Sequence, residues 1–273
     1  MLLTLAYSRL KPNFDSEEFA YGELKENCSA MISPTGDKVI IHRHGKGYEK
    51  TSFGKSLAGV RGELQVYKLL NEKRPLSFFF SNVQELQSDT EKCRFFMEYV
   101  GENISEAVPQ LRDLLMPLKE FFLLPDRKMM KWNELWNTLP EDLQKLVPEN
   151  EKKGETPIGL VHRDFKPWNV KSGVKPLFFD FESASFSGCP LEDFFNYTVD
   201  PQLHFFSPEA VWQNIQKNRS SAEMLLKELD CPVGEFARYW HWYLLERISF
   251  WRNQEQPEMA KRFQQLFEIS KND

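Results

Sequence analysis

The chain has 273 residues, 41% of them hydrophobic and 27% charged, with 35 lysines and arginines against 40 aspartates and glutamates. That is enough apolar material for a sizeable core, which excludes a disordered chain, a collagen and a disulfide-stapled miniprotein and leaves one large domain or two closely packed lobes. A net charge of −5 argues against a general nucleic-acid binder, because neutralising phosphates takes a basic face.

Met1 to Leu5 is apolar but lacks a basic start, and Lys11, Asp15, Glu17 and Glu18 follow quickly, so a signal peptide is not expected. No apolar run approaches the roughly 20 residues of a spanning helix, and a soluble, cytoplasmic protein is expected. The four cysteines, Cys28, Cys93, Cys189 and Cys231, form no Cys-x-x-Cys pair and read as free thiols. Ser29 to Ile32 and Val39 to Ile41, separated by Ser33-Pro34-Thr35-Gly36-Asp37, predict a hairpin. Val60, Leu64, Tyr67, Leu69 and Leu70 recur at helical spacing over about Leu57 to Leu70, and Ser77 to Val83 and Arg94 to Val100 read as strands. Gly101-Glu102-Asn103 is a polar break suited to a crossing between lobes, giving an N-terminal lobe over 1–100 and a C-terminal lobe over 101–273.

Beyond that break, Leu111, Leu114, Leu115, Leu118, Phe121 and Phe122 mark one face of an amphipathic helix. Trp132 to Val147 reads as another, with Pro140 as a break or first-turn residue, and Glu149 to Glu155 as a solvated loop. Ser220 to Leu229, Glu235 to Trp251 and Glu258 to Ile269 carry helical periodicity, and the rings Trp240, Trp242, Tyr243, Phe250 and Trp251 are mostly core. The fold class is therefore α+β: a small strand-rich lobe followed by a larger helical one.

Chemistry concentrates between residues 158 and 193. An apolar run ends at His162-Arg163-Asp164, Asn169 follows five residues after Asp164, and a second apolar run, Leu177-Phe178-Phe179, ends in Asp180-Phe181-Glu182. Two strands ending this way converge Asp164, Asn169 and Asp180 at one end of a short hairpin. Phosphoryl transfer needs such a set: a carboxylate to orient the attacking hydroxyl and take its proton, and hard oxygen ligands for Mg²⁺ on a nucleotide.

His162-Arg163-Asp164-Phe165-Lys166-Pro167-Trp168-Asn169 resembles the catalytic loop of the protein-kinase superfamily, and Asp180-Phe181-Glu182 stands where that superfamily keeps Asp-Phe-Gly. The Glu in third place, the short gap between Asn169 and Asp180 and the stretch Gly188 to Asp193 are similar to the aminoglycoside phosphotransferase and choline kinase branch. The resemblance implies a two-lobed protein-kinase-like fold that uses ATP and Mg²⁺. It implies Asp164 as base or hydroxyl-orienting group, Lys166 at the transferring phosphoryl group, and Asn169 and Asp180 as metal ligands. Glu182 becomes an accessory group toward a metal-bound water or a substrate amine, Glu98 and Val100 the adenine-binding hinge, and Glu63 the acid that pairs with a phosphate-binding lysine. The register of Val39-Ile40-Ile41-His42 puts His42 at the position of that lysine, with Arg43 beside it. Those two are the leading cations, with Lys46 and Lys50 as alternatives.

The resemblance further implies a kinase acting on a hydroxyl of a small molecule. A sugar or glycoconjugate is preferred over an aminoglycoside, choline or ethanolamine, and no nucleic-acid partner is expected. A protein kinase fits less well, because no Ala-Pro-Glu-like segment follows the metal motif. If His42 replaces the lysine, a pseudokinase acting as a binding module is the reading from another class.

Overall fold

A computed structural model describes residues 28–33, 36–43, 45–100, 104–105 and 107–271. The expectations for Met1 to Glu18 and the crossing at Gly101 to Asn103 lie outside them.

The first half is a five-stranded antiparallel sheet over a helix. Strands β1 (Cys28–Ile32), β2 (Lys38–Arg43), β3 (Gly47–Phe53), β4 (Val83–Ser88) and β5 (Lys92–Glu98) lie in the order β1-β2-β3-β5-β4. The expected hairpin is present, with Met31 opposite Ile40. The segment expected as a strand over 77–83 is irregular up to Val83, though Phe79 bridges Leu177. Helix α1 (Leu57–Lys73) buries Val60, Leu64, Tyr67 and Leu70, and with them Glu63. This is the helical periodicity expected, with one carboxyl on the buried face.

The second half follows a two-residue strand, β6 (Ile104–Ser105), and is mainly helical. Helix α2 (Leu111–Phe122) buries Leu114, Leu118 and Phe121 as its spacing dictates. The helix expected over 132–147 is divided, after β7 (Lys128–Lys131), into α3 (Trp132–Trp136) and α4 (Glu141–Gln144). Pro140, which lacks an amide hydrogen to give to a preceding turn, is the N-cap of α4. Strands β8 (Glu155–Val161), β9 (Val170–Gly173), β10 (Leu177–Phe178) and β11 (Ser185–Gly188) carry the motif region, then come α5 (Glu192–Thr198), α6 (Asp200–Leu203), α7 (Pro208–Glu228), α8 (Phe236–Asn253) and α9 (Pro257–Lys271). Trp240, Trp242 and Tyr243 are core as expected, while Phe250 and Trp251 are half-buried. Cys93, Cys189 and Cys231 are free and buried. Among the described residues no helix is long and apolar enough to cross a membrane.

One glycine fixes how β8 meets α2. A Cβ on Gly159 would fall inside the contact distance of the Phe122 carbonyl oxygen and ring. The clash is partly with backbone, which cannot rotate away, so Gly159→Ala should cost about 2 kcal/mol or more. A melting temperature lower by several degrees is the expected readout.

Candidate active site

The N-terminal half of the site is built on β3. Strand alternation turns Tyr48 and Lys50 to one face of the sheet and Glu49 to the other. The Lys50 ammonium donates to Glu63 Oε2 at 2.6 Å, Glu182 Oε1 at 2.7 Å and Asp180 Oδ1 at 3.2 Å, with its side chain only 3% exposed. Glu63, expected to meet a lysine, does so. The cation opposite it is Lys50, and His42 and Arg43 are corrected on this point. Arg43 lies on the opposite face, where it and Arg94 hold Glu49 at 2.7 and 2.6 Å. His42 shares the face of Ile40 but stacks on Tyr48, with centroids 4.5 Å apart. Ile40 is the register partner of Lys50, so the lysine strand is the neighbour of the strand on which the expectation rested.

Burial alone would strip Lys50 of its proton, but Glu63, Asp180 and Glu182 reverse this and hold it charged. Burial raises the Asp180 carboxyl, yet Lys50, His162 and Lys38 together outweigh that and keep it below its ordinary range. Glu63, with no exposed surface, is pushed up to about 7 by burial, against the pull of Lys50 and with added repulsion from Asp180 and Glu182. The sign for stability follows from linkage. Between 4.5, the carboxyl's ordinary value, and about 7 the folded protein holds a proton that the unfolded chain releases, so this group's contribution declines as pH rises through that window. In urea melts from pH 5 to 7.5, wild type should therefore lose stability relative to Glu63→Gln. A difference that stays flat with pH would refute the assignment.

The C-terminal half is built on the loop after β8. Asp193, at the start of α5, accepts the backbone N–H groups of His162 at 2.7 Å and Arg163 at 2.9 Å. That clamp stabilises Arg163 in the left-handed region, φ 63°, a conformation a side chain with Cβ adopts at a cost. The Arg163 guanidinium pairs with Glu192 and Glu246. His162 Nε2 lies 2.9 Å from the Phe179 carbonyl, which can only accept, so Nε2 carries the hydrogen and ties the two motif loops together. Phe181, fully buried, stacks on Phe121 and meets Tyr67 edge-on at 5.1 Å, which makes it a packing residue.

Asn169 and Asp164 come together. Asn169 Nδ2 donates to the Asp164 carbonyl and to its Oδ2, both at 2.8 Å. Asp164 Oδ1 is 2.8 Å from the Lys166 ammonium, which also reaches Asp200 at 2.9 Å. Burial lowers the Lys166 pKa, but Asp200 and Asp164 more than offset it. Register places Asp180 at the facing end of this hairpin: Phe178 pairs with Val170, so the residues flanking Asp180 run beside those flanking Asn169. Trp168 lies beneath Lys166, 5.5 Å from ring centroid to ammonium.

A cleft of ≈ 430 Å³ is lined by Ile40, Lys50, Met97, Glu98, Val100, Leu177 and Asp180 among others, while Asp164, Lys166 and Asn169 do not line it. The expected hinge residues Glu98 and Val100 are on its wall, and the Glu98 amide is already committed to the Asn82 carbonyl at 2.9 Å. Among the described residues one trio of acids, Glu63, Asp180 and Glu182, brings carboxylate oxygens within 4.8 Å of one another, and the Lys50 ammonium lies among them. Sequence reasoning missed Asp200 and Lys38, a lysine at the start of β2 that bonds Glu182. Neither carries a local signal, since each is a single charge in an unremarkable run.

No family model matches the chain, and no curated protein matches it by sequence. Solved structures do. The gentamicin complex of APH(2")-IIa is 17% identical with a TM-score of 0.52, covering 94% of this chain and 96% of that one. A ternary complex of aminoglycoside phosphotransferase APH(4)-Ia with AMP-PNP and hygromycin B is 12% identical, TM-score 0.52, covering 89% and 93%. The amicoumacin kinase hAmiN is 13% identical, TM-score 0.50, covering 98% and 93%. The chain therefore has the two-lobed, protein-kinase-like fold that these small-molecule kinases share.

Proposed function

We propose that the protein is an ATP-dependent phosphotransferase that moves the γ-phosphate to a hydroxyl of a small molecule. The observation that carries the proposal is the buried Lys50–Glu63 ion pair, 2.6 Å long, joined through Lys50 to Asp180, beside a separate loop on which Asn169 bonds Asp164. A packing role does not call for a charged lysine held at the floor of a cleft by three carboxylates, whereas neutralising phosphate oxygens does.

The roles follow from the atoms left available. Asp164, its side chain 35% exposed, would orient the acceptor hydroxyl and take its proton as the oxygen attacks phosphorus. Lys166, held charged beside it, is placed for the transferring phosphoryl group. Lys50 would bind phosphate oxygens nearer the nucleoside. With the Glu98 amide engaged, its carbonyl is the hinge group left for an adenine amino donor, and the Val100 amide would serve the ring. Asn169 and Asp180 fit Mg²⁺, because the Asn169 amide gives both its protons to Asp164 and so keeps Oδ1 for a ligand, and Asp180 is held as a carboxylate. A divalent ion there would supply charge neutralisation on the nucleotide.

The similar solved structures hold gentamicin, and hygromycin B with AMP-PNP, which favours a polyhydroxylated acceptor, a sugar or aminoglycoside, over choline. The pseudokinase reading depended on a missing cation, and Lys50 removes its motive. The test is thermal stabilisation by ATP with Mg²⁺, followed by ATP consumption against a panel of sugars, aminoglycosides and amino alcohols. Stabilisation with acceptor-dependent ADP release is expected. The absence of both stabilisation and ADP release would refute the proposal.

A further inference from the structure

The cleft contains a second lysine that the roles above leave unused. Lys38 opens β2, and its ammonium donates to both oxygens of Glu182 at 2.9 Å. Glu182 Oε1 simultaneously accepts from Lys50 at 2.7 Å. One carboxylate thus bridges two cations on the cleft wall.

The two lysines are held differently. Lys50 is 3% exposed and bound from below by Glu63, while the Lys38 and Glu182 side chains are 25% and 22% exposed. The backbone of Lys38 is fixed without help from Glu182. Its amide donates to Ser33 Oγ at 3.1 Å, Asp37 Oδ2 accepts from the Ser56 amide at 2.9 Å, and the Asp37 carbonyl accepts from Ser56 Oγ at 2.8 Å. These bonds hold the start of β2, which presents a solvent-reachable ammonium to the cleft, and a carboxylate stands where an incoming anion would bind it. Lys50 is engaged by Glu63, Asp180 and Glu182 and Lys38 by both oxygens of Glu182, so a polyphosphate that binds either lysine displaces a carboxylate from it. Glu182 is the exposed one.

We infer that Lys38 is a second phosphate-binding cation for the nucleotide, and that Glu182 is its stand-in anion in the nucleotide-free protein. Binding exchanges the Glu182 carboxylate on Lys38 for phosphate oxygens. The inference rests on the phosphotransferase reading and concerns binding, before any transfer.

Its test is equilibrium binding of adenosine and ATP in EDTA, so that neither turnover nor metal contributes. Lys38→Met should weaken ATP by about tenfold, the worth of one charge-assisted contact, and leave adenosine unchanged. Lys38→Arg should restore most of the loss. Glu182→Gln should strengthen metal-free ATP by about threefold, because the competing anion is gone. Opposite signs are the signature, since a structural ion pair would make both variants behave alike. Equal weakening by Lys38→Met and Glu182→Gln, or an unchanged preference for ATP over adenosine in Lys38→Met, would overturn the inference and leave the kinase reading standing. Failure of wild type to bind ATP in EDTA and with Mg²⁺ alike would overturn both.

Discussion

Asp164→Asn should lower turnover by about 10³ while leaving ATP affinity within about twofold, because it removes proton acceptance without removing volume. The substitution is nearly isosteric and keeps an oxygen that can accept from Lys166. Lys166 also retains Asp200 at 2.9 Å, so its position does not depend on Asp164. Asn169 retains its bond to the backbone carbonyl of residue 164. The loop, clamped by Asp193 through two amides, has no reason to move. The loss should therefore appear in kcat and spare nucleotide binding. ADP release surviving at the wild-type rate would remove Asp164 from the reaction.

Lys50→Met has the second large effect, and it is of two kinds. Removing the cation leaves Glu63 buried and unpaired beside two further carboxylates, and breaking a buried pair from one side costs about 3–5 kcal/mol. Nucleotide-dependent kcat/KM should fall by about 10² or more as the phosphate contact disappears. The two losses separate in the double variant Lys50→Met with Glu63→Gln, which should regain much of the stability, read from urea melts, and none of the activity. Arg43→Met and His42→Ala should change kcat/KM by less than about twofold, because Arg43 holds Glu49 on the opposite face of the sheet and the His42 ring stacks on Tyr48. A large activity loss in either would return the phosphate contact to β2.

The C-terminal motif was readable because its residues act locally. Asp164 and Asn169 are five apart and bond each other directly, so the sequence was enough to expect them side by side, while their roles rested on the resemblance. The lysine that pairs with Glu63 was not readable for a corresponding reason. Gly47-Tyr48-Glu49-Lys50-Thr51-Ser52 carries buried charges on both faces of β3, Glu49 on one and Lys50 on the other. The apolar alternation that identifies a half-buried strand is thereby erased, and the neighbouring apolar strand Val39-Ile40-Ile41 attracted the assignment. Glu63 was legible from its place within a helical apolar face, although its partner lies on a different element. Asp193 was visible only as part of a resemblance, and its work on the amides of His162 and Arg163 depends on a contact thirty residues away in sequence. The divided helix at 132–147 is a milder case: Pro140 was noticed, and its lack of an amide hydrogen is what ends one turn and starts the next.

The ring of Phe181 lies against Tyr67 of α1 on one side and Phe121 of α2 on the other, so the apolar interior does not stop where the strand-rich half gives way to the helical half. Severing the polypeptide near residue 100 would expose Tyr67 on one fragment and Phe181 on the other, both rings that the intact chain keeps dry. The halves are thus poor candidates for separate expression, and heating the whole protein should dismantle them together rather than in sequence.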